Sequence, residues 1–381
     1  MLAVGPEYGF GLYVHWPYCA RICPYCDFNV YAAKDRDTAP LLDAIVQDIF
    51  RHRDALPDHP ELDSVFLGGG TPSLLNGDQM ARIVEAAKDA FGLRPGAEIT
   101  LEANPNDILI GRPDAWRKAG VNRLSIGIQS LEDEALEFLG RDHDAAGAIE
   151  AVKSIQPMFE NHSIDLMYAR PGQSETDWSE ELKRALDLGA PHLSLYELTI
   201  ETRTAFGKRA ARGELVPMLD DEQADLYERT QDICEAAGLM AYEVSNHARA
   251  PELESRHNHI YWASGDWIGV GPGAHGRLTI DGVRHANEAA RRPADYISQK
   301  QTTVSTLSIP ETAREYLAMA LRPLAGMNLA RFESLFGNAP APETIEDLIE
   351  NGYATLDDNT LKLTIQGRLI ADYVASLLAP Y

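Results

Sequence analysis

Six short runs rich in apolar and β-branched residues, at 11–15, 64–67, 98–102, 123–128, 163–167 and 192–198, alternate with longer stretches at 40–53, 79–91, 132–139 and 179–188 whose apolar residues recur at helical spacing. This alternation constrains the fold more than any other feature of the chain. Successive parallel strands need a crossover between them, and a helix laid on the sheet buries the apolar face of both elements. Six such units predict an α/β fold, a partial TIM-like (β/α)6 barrel, whose functional groups belong at the C-terminal ends of the strands. With 381 residues the chain is long enough for two or three domains.

The loop after the first strand is where such a barrel places its chemistry. It holds Cys19, Cys23 and Cys26 in a C-x3-C-x2-C spacing. The only other cysteine, Cys234, lies in a helical stretch at 224–237 and reads as a core residue. Three clustered thiols make a poor disulfide framework and a good metal site. A common iron–sulfur cube takes four thiolates. Three would leave one iron open, and an open metal position is where chemistry occurs. A structural zinc site completed by His15 is the alternative, although the strand carrying His15 would have to fold back on itself. The second strand runs into Gly68-Gly69-Gly70-Thr71-Pro72, where glycines allow close backbone approach or simply a tight turn. Glu102 ends the third strand, and an acid there is more often functional than one on a helix face. Its structural alternatives are capping the next helix or pairing with Arg123.

The run Tyr13 to Phe28, YVHWPYCARICPYCDF, resembles the radical S-adenosylmethionine (SAM) superfamily. Within it the run resembles the branch of the oxygen-independent coproporphyrinogen III oxidases and the HemW-type haem chaperones. The resemblance extends over nearly the whole chain and implies a (β/α)6 radical SAM barrel. It implies a [4Fe–4S] cluster held by Cys19, Cys23 and Cys26, with SAM chelating the fourth iron. Tyr25 matches the aromatic residue before the third cysteine, and Tyr13 a tyrosine near the cofactor. Gly69, Gly70 and Thr71 match the segment that binds the methionine part of SAM, and Glu102 the acid that bonds its ribose. Gln129, Arg141 and Asp165 fall on further SAM contacts, with strand-end ties between polar groups as the structural alternative. One departure follows Asp165: the family's Tyr-Gly-Leu-Pro-Gly-Gln reads Tyr168-Ala169-Arg170-Pro171-Gly172-Gln173 here, which opens the question of the local backbone and the pocket's polarity.

From about residue 240 the periodicity fades, and glycine, histidine and tryptophan cluster. The expected organisation is a barrel over 1–239, a loop-rich extension over 240–306 and a winged-helix-like α+β domain over 307–381. The last has helices at 309–321, 329–336 and 344–351, a hairpin at 353–364 and a closing helix at 366–378. Residues 306–381 carry 5 Lys/Arg against 10 Asp/Glu, so the domain reads as structural or protein-contacting and not as a DNA reader. In the extension, His257-Asn-His-Ile-Tyr-Trp262 sets a histidine beside two aromatics, which suits a flat macrocycle with an axial nitrogen ligand. A strand packing Tyr261 and Trp262 into the core is the alternative. The stretch resembles the HNxxYW motif of the HemW-type chaperones, which implies haem binding through His257. His275, in a glycine-rich loop, reads as a structural histidine.

The formal net charge of −24 excludes non-specific nucleic-acid binding and docking on anionic lipid. No run of about 18 apolar residues predicts a membrane span, and the N-terminal MLAVGPEYGF lacks the basic start and apolar run of a signal peptide. Clustered reduced thiols predict a cytoplasmic setting. Between the branch's two activities, three features favour the chaperone. Phe28 stands where the oxidases carry a fourth cysteine, only 18 residues precede Cys19, and the HNxxYW motif belongs to the chaperones. The partners then expected are haem and haem-accepting proteins, including transient contact with membrane haemoproteins.

Overall fold

The computed structural model describes residues 5–379 except 35, 57 and 299–301; the outermost residues of the N-terminal run and of the C-terminal segment lie outside these. Twelve strands form one sheet: β1 (Phe10–Trp16), β2 (Leu62–Gly69), β3 (Leu93–Ala103), β4 (Arg123–Gln129), β5 (Asn161–Tyr168), β6 (His192–Glu197), β7 (Met240–Ala241), β8 (Asn246–Ala248), β9 (Asp266–Val270), β10 (His275–Ile280), β11 (Val283–Glu288) and β12 (Thr303–Thr306). Their spatial order is β12-β11-β10-β9-β1-β2-β3-β4-β5-β6-β8-β7. β1 to β6 are parallel and adjacent in sequence order, as the strand–helix alternation requires. The partial barrel is therefore present, and its two ends are not paired with each other among the described residues.

Strand periodicity decides what the barrel contains. Leu12 and Val14, Val65 and Leu67, Ile99 and Leu101, Leu124 and Ile126, Ile164 and Leu166 are buried in the main core. The alternate positions turn the other way and carry Tyr13, Phe66, Glu102, Ser125, Asp165 and Ser194 into a central cavity. Each strand is thus apolar toward its covering helices and polar or aromatic toward the interior.

The stretch expected to be loop-rich does more than decorate this barrel. β9 pairs in parallel with the free edge of β1, and β10 to β12 extend the sheet in antiparallel fashion. The HNHIYW stretch is not a strand: it forms the helix Arg256–Trp262. Ser255 caps this helix through the Asn258 N–H. The carboxylate of Glu98 accepts from the N–H groups of Arg256 and His257 at 3.2 and 3.3 Å, taking up donors left free at a helix start. The helix packs on the N-terminal ends of β1 and β2 and so floors the barrel.

The C-terminal segment has its own core, which includes Tyr316, Leu317, Phe332, Leu361 and Val374. Helices Ile309–Ala320, Leu329–Phe336 and Pro342–Glu350 surround a small sheet of Met327–Asn328, Thr360–Leu363 and Ala354–Asp357. The hairpin turns at Asp358 and Asn359, both in the left-handed region with φ of 42° and 66°. The closing helix is broken into Ile365–Leu369 and Ala371–Leu378. This winged-helix-like unit docks behind the floor helix: Trp262 packs with Tyr242 and Met319, and the Arg331 guanidinium donates to the Ala263 carbonyl at 2.7 Å.

Candidate cofactor cavity

The barrel encloses a cavity of about 640 Å³, within the range of small-molecule and cofactor sites. Every residue that the resemblance marks as a cluster or cofactor contact lines it: Cys19, Cys23 and Cys26, Tyr13 and Tyr25, Gly69, Gly70 and Thr71, Glu102, Gln129, Arg141, Asp165, and His257. The cysteine loop forms its mouth and the floor helix its base.

All three cysteines of the loop are free thiols. Burial pushes the Cys19 thiol up, and it pushes Cys26 up to about 11. Arg141 supplies a compensating charge: its Nη1 lies 3.6 Å from Cys23 Sγ, while Nη2 donates to the Gly127 carbonyl at 2.7 Å. No three His, Cys, Asp or Glu side chains converge tightly enough to hold one ion among the described residues. Phe28 projects from the loop with 63 % exposure.

The loop is braced from two sides. The Gly70 N–H donates to the Trp16 carbonyl at 2.7 Å and the Thr71 N–H to the Tyr18 carbonyl at 2.8 Å. These amides therefore clamp the two loops together. Gly69 has φ of +102°, and a Cβ there would lie 2.5 Å from the His15 ring, so only glycine fits. On the other side Asn29 Nδ2 donates to the carbonyls of Pro272 and Arg291, both at 2.8 Å. Gly271, with φ of +101°, lies so close that a Cβ would meet the His15 carbonyl at 2.2 Å. His15 itself is held between the Tyr13 hydroxyl at 2.9 Å and the Asn29 carbonyl at 3.0 Å. Both ring nitrogens are thereby engaged, so His15 is a structural tie and not a fourth metal ligand.

In the middle of the cavity Glu102 accepts from the Gly69 N–H at 3.0 Å. Burial, then the neighbouring Asp165, hold its carboxyl up at about 7. Arg123 does not pair with it; its ion-pair partner is Glu98. Asp165 accepts from the Ser125 and Ser163 hydroxyls at 2.8 and 2.7 Å. Gln129 sits at an irregularity in the β4–β5 pairing with φ of +68°, and its buried Oε1 has no hydrogen-bond partner among the described residues. A left-handed non-glycine residue with an orphaned acceptor on a cavity wall suits a group that contacts a ligand.

At the base His257 is 1 % exposed. Its Nδ1 bonds the Ser64 hydroxyl at 2.7 Å and its Nε2 the Tyr261 hydroxyl at 2.6 Å. Burial holds its pKa down at about 3, so the ring is neutral. Phe66 stacks on it at 5.1 Å, and Tyr13 lies 6.5 Å away. His259 turns aside to Glu254 at 2.6 Å, and His275 is exposed beside Glu288. Cys234 is fully buried in the helix Asp220–Ala236, its thiol pushed up to about 12.

The Ala169-Arg170 departure leaves the cavity alone. Ala169 adopts φ of +56°. Arg170 turns away and pairs with the buried Glu181 at 2.6 Å. Glu181 also accepts from the Leu131 N–H at 2.8 Å, and Arg170 donates to the Met167 carbonyl at 2.7 Å. Cavity residues that the sequence reading did not single out include Phe66, Ser125 and Ser194. Their signal was the inward register of each strand.

These residues fit the cofactors that the sequence resemblance implies. Three free thiols share one loop, the Arg141 guanidinium reaches Cys23 from after β4, and the adjoining wall offers an amide oxygen without a partner among the described residues and a carboxylate.

Comparison with known proteins agrees. Residues 13–185 match the model of the radical SAM superfamily, and residues 307–370 that of the HemN C-terminal domain. The chain is 34% identical over 375 residues to "Heme chaperone HemW" of Bacillus subtilis (strain 168), covering 95% of this chain and 97% of that one. It is 36% identical over 388 residues to "Radical S-adenosyl methionine domain-containing protein 1, mitochondrial" of Bos taurus, covering 95% and 85%. The fold matches a solved structure of coproporphyrinogen III oxidase (HemN) from Escherichia coli with a TM-score of 0.81 at 21% identity, over 98% of this chain and 90% of that one. With relatives of this similarity spanning both chains almost end to end, the chain belongs to the radical SAM superfamily and, within it, to the family of the haem chaperone HemW.

Proposed function

We propose that this protein is a haem carrier, which holds haem in the central cavity and hands it to haem-accepting proteins. The observation that carries the reading is the position of the HNHIYW helix: it floors the same cavity whose mouth is the cysteine loop. Relatives named as haem chaperones, alignable along nearly the whole chain, support it.

Cys19, Cys23 and Cys26 would hold a [4Fe–4S] cluster, with Arg141 offsetting thiolate charge. Tyr13, Tyr25, Gly69, Gly70, Thr71, Glu102, Gln129 and Asp165, with Arg141, would hold SAM against it. When bound, the cluster supplies an electron-transfer centre with one iron open to a ligand. His257 would serve haem iron through Nε2. The ring is neutral, as ligation requires, and the Nδ1 contact with Ser64 fixes its orientation; Tyr261 must release Nε2. The acidic surface makes nucleic acid an unsuitable partner. No helix among the described residues is long and apolar enough to cross a membrane, and the reduced thiols suit a cytoplasmic setting. Phe28 in place of a fourth loop cysteine, together with the HNHIYW motif, favours this reading over a coproporphyrinogen III oxidase.

The test is an anaerobic haem titration of cluster-loaded protein and of His257→Ala, followed by absorbance. The expected result is saturable binding by the wild type, and in the variant a shifted spectrum with affinity reduced roughly tenfold or more. Identical affinity and spectrum in His257→Ala would remove the proposed ligand.

A further inference from the structure

Arg123 opens β4 near the base of the cavity, which its side chain lines while remaining 2 % exposed. The other strongly buried arginines are well satisfied. Arg170 is engaged by Glu181 and the Met167 carbonyl, and Arg284 by Asp266 and the Gly265 carbonyl. Arg123 differs. Its buried Nε has no hydrogen-bond partner among the described residues. Its ion-pair partner, Glu98, stands 3.8 Å away, beyond hydrogen-bond length. Glu98 is moreover shared with the N–H groups of Arg256 and His257.

A guanidinium is a planar fork of five donors, shaped for bidentate contact with a carboxylate. Leaving it buried with one loose partner among the described residues is costly unless something else takes up its donors. The same cavity carries an aromatic cluster at its base, with Phe66 stacked on His257 and Tyr261 bonded to that histidine, and Glu98 links Arg123 to it by accepting from the His257 N–H. A ligand that reaches Arg123 therefore presents a carboxylate from a flat, largely apolar body. We infer that Arg123 is the carboxylate-binding group of this cavity and takes a propionate side chain of the tetrapyrrole; this rests on the haem reading above.

The experiment compares haem with haem dimethyl ester, titrated into the cluster-loaded full chain and into Arg123→Gln and Arg123→Lys, each checked for a cooperative thermal melt. Comparing the acid-to-ester affinity ratio between proteins cancels the intrinsic difference between the two ligands. The expected wild-type preference for the free acid is roughly tenfold to a hundredfold, the range for charge-assisted hydrogen bonds. It should vanish in Arg123→Gln and fall in Arg123→Lys, whose ammonium cannot make the fork. Equal wild-type affinity for both ligands overturns the inference, as does an unchanged preference in Arg123→Lys, which stands in should Arg123→Gln not fold. SAM affinity is measured in parallel. A loss there in Arg123→Gln, with the acid preference intact, would give the carboxylate to SAM and overturn the propionate assignment. Failure of the wild type to bind either haem would instead sink the haem-carrier reading itself.

Discussion

Glu102 and His257 face the same cavity and titrate in opposite senses. Burial and Asp165 hold Glu102 up at about 7 against an ordinary 4.5. The unfolded chain gives up this proton first, so Glu102's contribution to stability is full below pH 4.5 and is lost as pH rises to about 7. Burial holds His257 down at about 3 against 6.5. There the unfolded chain takes up the proton first, so the contribution is full above pH 6.5 and is lost as pH falls toward 3. Between about pH 4.5 and 6.5 the two slopes oppose, and the wild type conceals both. Glu102→Gln keeps an acceptor for the Gly69 N–H and removes the ionising group. In cofactor-free protein it should gain on the order of 3 kcal/mol over the wild type above pH 7, with the gain gone below pH 4.5. Urea denaturation across this range measures it, and a gain independent of pH would contradict the assignment.

At the scale of elements, the turn after β5 shows how a departure from the family pattern is accommodated. Ala169 keeps the left-handed backbone at a cost of roughly 1–2 kcal/mol. Arg170 ties the turn to the helix Glu175–Asp187 through Glu181 and to the turn after β4 through Ser130. Arg170→Leu strands a buried carboxylate and should cost about 3–5 kcal/mol. Adding Glu181→Leu should recover part of that, but not the Leu131 N–H contact. A loss under about 1 kcal/mol in the single variant, by chemical denaturation, would show that the pair does not hold these elements together. The same scale explains what could be read from the sequence. The six strands were legible because each alternates, Leu12 and Val14 outward with Tyr13 inward, Ile164 and Leu166 outward with Asp165 inward. The cavity residues were legible where a motif carried them. The floor helix was not, because it has only seven residues, too few to show a helical period, and its aromatics favour strands. What fixes its start is Glu98, 158 residues earlier in the chain. Arg123 was noticed only as a partner for Glu102, since strand spacing alone cannot say which of two acids on β3 it meets.

For the whole molecule, the cavity is a joint product of the three stretches distinguished in the sequence. The barrel supplies the walls and the cysteine mouth, the following stretch supplies the floor and braces Asn29, and the C-terminal unit packs behind Trp262. On the haem-carrier proposal, this arrangement would enclose the cargo between a mouth and a floor contributed by different stretches of the chain. The most direct measurement is transfer itself: haem-loaded, cluster-containing protein mixed anaerobically with an apo-haemoprotein, the acceptor's spectrum followed over time. The account predicts stoichiometric transfer faster than haem escapes to a passive scavenger. Haem that stays bound in the presence of acceptors, with SAM-dependent conversion of coproporphyrinogen III by the same preparation, would contradict it.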